Sequence, residues 1–90
     1  MTMSSDADTP VKVYGASWCH DTQDTVKHLD ALGVSYHYLD VDEDPHAQAW
    51  VKDHNSGKQK LPTLDVAGQI LSIPDDSELD AVLKSKGIVQ

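Results

Sequence analysis

The sequence contains no phenylalanine and no arginine, and its 90 residues include a single cysteine, Cys19. Because no second cysteine is present, an internal disulfide cannot form, which argues against a secreted disulfide scaffold and fits a reducing cytoplasm. Because phenylalanine is absent, the core of so short a domain must be built from Val, Leu, Ile, Trp and Tyr.

Positive charge is also scarce. Seven lysines stand against fifteen Asp and Glu residues, so the formal net charge is −8. Nucleic acids and anionic membranes bind basic surfaces, and we expect neither as a partner. No apolar run approaches the length of a membrane span, and the N-terminal sequence is unlike a signal peptide. We expect a cytoplasmic monomer with a disordered tail at 1–10 and one domain at 11–90.

Hydrophobic patterning predicts the element order β-α-β-α-β-β-α. The predicted strands cover residues 11–14, 34–41, 63–66 and 69–73, and the predicted helices cover 19–32, the stretch from the Asp44 cap to Gly57, and the stretch from the Asp75 cap to Gly87. A strand-helix-strand unit requires a parallel strand pair, whereas the tight turn between 66 and 69 requires an antiparallel pair. Together they predict a four-stranded mixed sheet with helices on both faces.

Cys19 lies between the predicted strand 11–14 and the body of the predicted helix 19–32. At a helix N-terminus the backbone N–H groups are unpaired and the helix dipole is positive, and both features stabilise a thiolate. The thiolate is the form that attacks disulfides, so this placement predicts thiol chemistry at Cys19. The alternative is that Cys19 is a small buried hydrophobic residue.

Four stretches of the sequence resemble the glutaredoxin family in their order and spacing. They are Val-Tyr-Gly-Ala-Ser-Trp-Cys at 13–19, Leu-Asp-Val-Asp-Glu-Asp-Pro at 39–45, Asn-Ser-Gly-Lys-Gln-Lys-Leu-Pro-Thr-Leu at 55–64 and Ile-Pro-Asp-Asp at 73–76. Residues 55–64 are most similar to the mycoredoxins within that family. The resemblance implies an α/β, thioredoxin-like fold and the activity of a thiol–disulfide oxidoreductase.

The active-site motif departs from the commonest pattern of that family. Where the family has Cys-x-x-Cys, this chain has Cys19, His20, Asp21 and Thr22. A dithiol cycle that ends in an internal disulfide is therefore chemically impossible. We expect Trp18 to be partly exposed, where it can shield the mixed disulfide or dock a partner. Protonated His20 would favour the Cys19 thiolate and Asp21 would oppose it, and Thr22 has no redox role.

The resemblance also implies a site for a low-molecular-weight thiol, either glutathione or mycothiol, as co-substrate. It implies a cis bond at Pro62, with the backbone of Leu61 available to pair with the cysteinyl backbone of the thiol. The turn at Asp75 and Asp76 is expected to bind the γ-glutamyl end of such a ligand, although both residues could simply cap a helix.

Lys58, Gln59 and Lys60 are candidates to hold the glycyl carboxylate of the ligand, although each could equally belong to a solvated loop. The family often has a lysine three residues before its cysteine, where this chain has Ala16. The five histidines lack the spacing of a zinc site, so we expect neither a metal nor a bound cofactor.

The sequence therefore predicts a monothiol oxidoreductase that reduces mixed disulfides between proteins and a small thiol through Cys19. Its partners would be thiolated or disulfide-containing proteins. One alternative is an iron–sulfur cluster carrier, in which two chains each supply Cys19 and two small thiols complete the ligands. The other is a non-catalytic thioredoxin-fold protein that binds a partner in the cleft around Trp18 and Pro62.

Overall fold

The computed structural model describes residues 9–89 and has the predicted element order. The strands are β1 (Val11–Gly15), β2 (His37–Asp40), β3 (Thr63–Val66) and β4 (Gln69–Ser72), and the helices are α1 (His20–Ala31), α2 (Pro45–His54) and α3 (Asp76–Ser85). The tail predicted at 1–10 lies outside the described residues except for Thr9 and Pro10. The Thr9 hydroxyl donates to the Ser35 carbonyl, and the Pro10 carbonyl accepts from the Ala67 N–H.

The four strands form one mixed sheet in the order β2-β1-β3-β4. Strand β1 runs parallel to β2 and antiparallel to β3, and β4 returns antiparallel to β3. Ala67 and Gly68 connect β3 to β4 with positive φ angles of 50° and 94°, as a two-residue hairpin that follows the strand twist requires. The predicted mixed sheet is confirmed.

Apolar residues cover both faces of the sheet, because side chains alternate along each strand. On one face Val11 and Val13 of β1 pack with Leu29 of α1 and with three residues of α3, namely Leu79, Val82 and Leu83. On the other face Tyr14 packs with Val51 of α2 and with Leu61. The helices thus lie on both faces as predicted, and the buried apolar residues are mostly valine and leucine.

Strand β2 is shorter than predicted and covers residues 37–40 of the predicted 34–41. Its partner β1 begins at Val11, and Lys12 lies opposite His37. The residue before Val11 is a proline, which has no N–H to extend the ladder. Val34 instead packs in the core. Strand β4 also ends one residue early, because Ile73 turns to a positive φ of 48°.

The starts of α2 and α3 follow the predicted capping pattern. The Asp44 carboxylate accepts the N–H groups of His46 and Ala47, and Pro45 occupies the first turn of α2. The Asp75 carboxylate accepts the Glu78 N–H at 2.7 Å at the start of α3. No helix among the described residues is long and apolar enough to cross a membrane.

Candidate active site

Cys19 is the N-cap residue of α1 and is half-buried. Its backbone N–H donates to the Ala16 carbonyl at 3.0 Å, and its own carbonyl accepts from Gln23, so the turn and the helix hold it from both sides. Its Sγ lies 3.8 Å from the Leu61 carbonyl oxygen, within the looser distance range of a thiol hydrogen bond. The thiol is therefore positioned at the junction of α1 and the segment that precedes β3.

Thr22 lies one turn into α1, on the side that faces the sheet, and is only 1% exposed. Its hydroxyl accepts the Ala16 N–H at 3.4 Å. A Cβ added to Gly15 would lie 2.5 Å from Thr22 Cγ2. Glycine at position 15 is thus what allows α1 to approach the end of β1. In the sequence, Gly15 stands out only as part of the stretch at 13–19.

Leu61 and Pro62 form the second wall of the site, and the peptide bond between them is cis, as the resemblance implied. Both residues are buried. The Thr63 hydroxyl donates to the Lys60 carbonyl at 2.6 Å and accepts from the buried Asn55 amide, which fixes the segment from both ends. The Pro62 carbonyl accepts the Ile73 N–H at 2.8 Å. This bond ties the segment beside Cys19 to the turn that opens α3.

A groove of about 730 Å³ lies between α1 and that turn. Its lining includes four carboxylates, which are Asp21 and Asp24 of α1 together with Asp75 and Asp76. His28 also lines the groove, with its Nε2 2.7 Å from Asp80 and its Nδ1 3.7 Å from Asp76. The structure therefore brings Asp21 together with Asp75 and Asp76, three residues that the sequence analysis selected separately. Asp24 and His28 belong to no motif in the sequence and were not predicted as site residues.

The other predicted site residues are exposed. Trp18 is 63% exposed, and its Nε1 donates to the Asp42 carboxylate at 2.6 Å. His20 is exposed in the first turn of α1. Lys58 and Gln59 are exposed in the loop after α2 and do not line the carboxylate groove. The Gln59 side chain instead accepts a hydrogen bond from Gln48 at 3.2 Å.

Tyr38 on β2 is a further polar group close to the site. Burial raises the pKa of its phenol, and the carboxylates of Asp40 and Asp42 raise it further, so the hydroxyl stays protonated at neutral pH. Its oxygen is buried and has no hydrogen-bond partner. Alternation along the predicted strand marked Tyr38 only as a residue of a covered strand, because a sequence pattern does not show which hydroxyls lack partners.

Within residues 9–89, no cluster of three or more His, Cys, Asp or Glu side chains is arranged to hold a metal ion.

The architecture and the position of the thiol define a class of protein. The chain superposes on wheat glutaredoxin with a TM-score of 0.70 and 22% identity, over 94% of this chain and 89% of the wheat protein. It superposes on buckwheat glutaredoxin, solved as a complex with glutathione, with a TM-score of 0.69 and 19% identity, over 92% and 84% of the two chains. At these identities the likeness establishes a thioredoxin-like fold of the glutaredoxin type.

The sequence comparison is more specific. The model of the glutaredoxin family matches residues 11–71, which include Cys19 and Pro62. The chain therefore belongs to the glutaredoxin family, whose members are thiol–disulfide oxidoreductases. Mycoredoxin 1 of Corynebacterium glutamicum is 39% identical over 54 residues. That alignment covers 60% of this chain and 66% of the relative, just under two thirds of its length.

Proposed function

We propose that this protein is a monothiol oxidoreductase that removes a low-molecular-weight thiol from protein mixed disulfides through Cys19. The observation that carries the proposal is the geometry of the only thiol in the chain. Cys19 caps α1 and is partly exposed, with its sulfur 3.8 Å from the Leu61 carbonyl at the edge of the cis-proline segment. Membership of the glutaredoxin family supports the same chemistry.

The reaction proceeds in two exchanges, in each of which one S–S bond breaks and one forms. The Cys19 thiolate first attacks the small-thiol sulfur of the mixed disulfide. The protein thiolate leaves and takes up a proton, and Cys19 is now joined to the small thiol. A second small-thiol molecule, as its thiolate, then attacks the adduct. The products are the small-thiol disulfide and the Cys19 thiolate.

The cycle follows this monothiol route because residue 22 is threonine. It occupies the position from which a second cysteine would attack the Cys19 adduct, and a hydroxyl cannot form a disulfide. The Thr22 side chain is buried against Gly15 and accepts a backbone N–H. Its role is thus to seat the start of α1, while a free thiol from solution completes the cycle.

The charge of the groove favours mycothiol over glutathione as that thiol. Glutathione carries a net negative charge, whereas mycothiol is an uncharged sugar thiol. The groove between α1 and the start of α3 is lined by four aspartates and by one lysine, Lys27, whereas Lys58 lies outside it. Ala16, in the position where the family often has lysine, is fully buried and carries no charge. Carboxylates accept hydrogen bonds from sugar hydroxyls but repel a second carboxylate.

The test is turnover on a protein mixed disulfide with each thiol, glutathione and mycothiol, as reductant. Wild type is expected to turn over, faster with mycothiol, and Cys19→Ser is expected to show no turnover above background. A matched control, Cys19→Ser with Ser85→Cys, moves the lone thiol to an exposed position at the end of α3 and is expected to stay inactive. Wild-type turnover by either variant would refute the mechanism. Tight binding of the mixed disulfide without turnover would instead indicate a binding protein.

A further inference from the structure

Ile73 has a backbone conformation that its side chain disfavours. Outside glycine, the described residues with positive φ are Ser56, Ala67 and Ile73. Ala67 lies in the β3–β4 hairpin, which needs such an angle, and Ser56 precedes Gly57 in the turn that ends α2. Ile73 is the β-branched member of the set, and a β-branched residue with φ of 48° is a genuine outlier.

The fold gives no reason for isoleucine at this position. Glycine would make the same turn from β4 into α3 at no steric cost. The Ile73 side chain is 46% exposed, so little core packing is gained in return for the strained backbone. The hydrogen bond from its N–H to the Pro62 carbonyl is a backbone interaction, which any residue except proline could make. Strain of this kind is often kept where a side chain serves a function.

The position of Ile73 indicates what that function is. The Ile73 N–H donates a hydrogen bond to the Pro62 carbonyl. The residue before Pro62 is Leu61, whose carbonyl oxygen lies 3.8 Å from the Cys19 sulfur. The Ile73 side chain also lines the groove between α1 and the start of α3. Apart from Pro74, its neighbours in that lining are polar or charged. Ile73 is therefore an apolar residue hydrogen-bonded to the segment that contacts the thiol, in a groove that otherwise offers carboxylates, hydroxyls, Lys27 and His28.

We propose that Ile73 is a specificity-determining residue of the small-thiol site, whose turn holds an apolar side chain against the small-thiol half of the mixed disulfide. This inference rests on the proposed function, because it assigns the small thiol to the groove between α1 and the start of α3. The atoms of the small thiol that can make this contact are its aliphatic carbon atoms. Loss of the side chain would weaken binding of the thiol and leave the nucleophile intact.

The test compares three variants by thermal unfolding and by an exchange equilibrium. Ile73→Gly and Ile73→Asn both tolerate positive φ but lack the apolar side chain, whereas Ile73→Val keeps the β-branched shape and is the matched control. Each reduced protein is incubated with mycothiol disulfide, and separately with glutathione disulfide, at fixed ratios to the reduced thiol. Cys19 gains one small thiol and one reduced thiol is released. Intact mass gives the fraction of protein that carries the adduct.

Ile73→Gly and Ile73→Asn are expected to melt about 5 °C higher than wild type, and their adduct equilibrium constant is expected to fall about tenfold with the preferred thiol. Ile73→Val is expected to remain within twofold of wild type in that constant. An unchanged constant in Ile73→Gly and Ile73→Asn would overturn the inference, as would a lower melting temperature in both.

The same measurements separate this inference from the proposed function. A wild-type protein that forms the adduct but does not turn over mixed disulfides would refute the proposed enzyme, and the adduct equilibrium would still decide the role of Ile73. A wild-type protein that forms no adduct at any ratio of disulfide to thiol would overturn both.

Discussion

The close approach of Thr22 to Gly15 predicts a large effect from a single methyl group. In Gly15→Ala the new Cβ would lie 2.5 Å from Thr22 Cγ2 and 2.7 Å from Thr22 Oγ1. Carbon atoms in ordinary contact are about 3.5–4.0 Å apart, so the overlap is about 1 Å. Both residues are buried at the junction of β1 and α1. Because overpacking of this kind costs about 1–3 kcal/mol, we expect Gly15→Ala to lose that much free energy of unfolding.

A double-mutant cycle tests whether Thr22 causes this loss. Thr22→Ala alone should cost about 1–3 kcal/mol, because the buried Ala16 N–H loses its acceptor. In the double variant the nearest remaining Thr22 atom is Cβ, at 3.2 Å from the added carbon. We therefore expect the two losses to be less than additive by about 1–2 kcal/mol.

Denaturant unfolding of the four proteins gives these free energies directly. Gly33→Ala is the control, because Gly33 has a positive φ of 72° but nothing within 4 Å of an added Cβ. It should be destabilising by itself but additive with Thr22→Ala. A Gly15→Ala variant that unfolds within about 0.5 kcal/mol of wild type, roughly the range of a neutral surface change, would show that the added methyl group is tolerated. Additive losses in Gly15→Ala and Thr22→Ala would show that Thr22 is not the cause.

Three further predictions concern the site. Thr22→Cys should form an internal disulfide with Cys19 on mild oxidation, because the Cα atoms of residues three apart at a helix start lie within disulfide range. The disulfide is detected as a loss of both free thiols, and two thiols still free after oxidation would contradict the prediction. Tyr38→Phe should leave the free energy of unfolding at pH 7 unchanged or raise it by up to about 1 kcal/mol, because the buried hydroxyl has no hydrogen-bond partner. A decrease of more than about 1 kcal/mol would contradict the prediction. The pKa of the Tyr38 phenol is raised by folding. The free energy of unfolding therefore falls as pH rises above about 10, where the phenol ionises first in the unfolded chain. When unfolding is measured over this pH range, the free energy of Tyr38→Phe should fall less steeply than that of wild type.

The elements that local chemistry specifies were predictable from the sequence. Asp44 and Asp75 cap their helices as predicted, because capping depends on residues within one turn. Local chemistry alone predicts a trans bond at Pro62, because most bonds before proline are trans. The cis bond was expected only from the resemblance. The ends of β2 were not predictable, because they depend on where β1 begins, whereas the strand-like alternation of the sequence already starts at Val34.

The site was predictable in its parts, whereas its assembly required the structure. The sequence indicated Cys19 and the turn at Asp75 and Asp76. It did not show that Asp24 and His28, on later turns of α1, line the same groove as that turn. Helix periodicity marks which residues share a face but not which other element that face meets. The positive φ of Ile73 was also not predictable, because isoleucine favours a continued strand.

The proposed transfer of the small thiol from a protein mixed disulfide to Cys19 can be observed in a single-turnover experiment. The reduced protein is mixed with a mycothiol- or glutathione-modified substrate protein in the absence of free thiol, and both proteins are then weighed by intact mass spectrometry. The protein is expected to gain one small thiol on Cys19 while the substrate loses one. A small thiol that stays on the substrate, or a disulfide between Cys19 and the substrate protein itself, would rule out the proposed transfer.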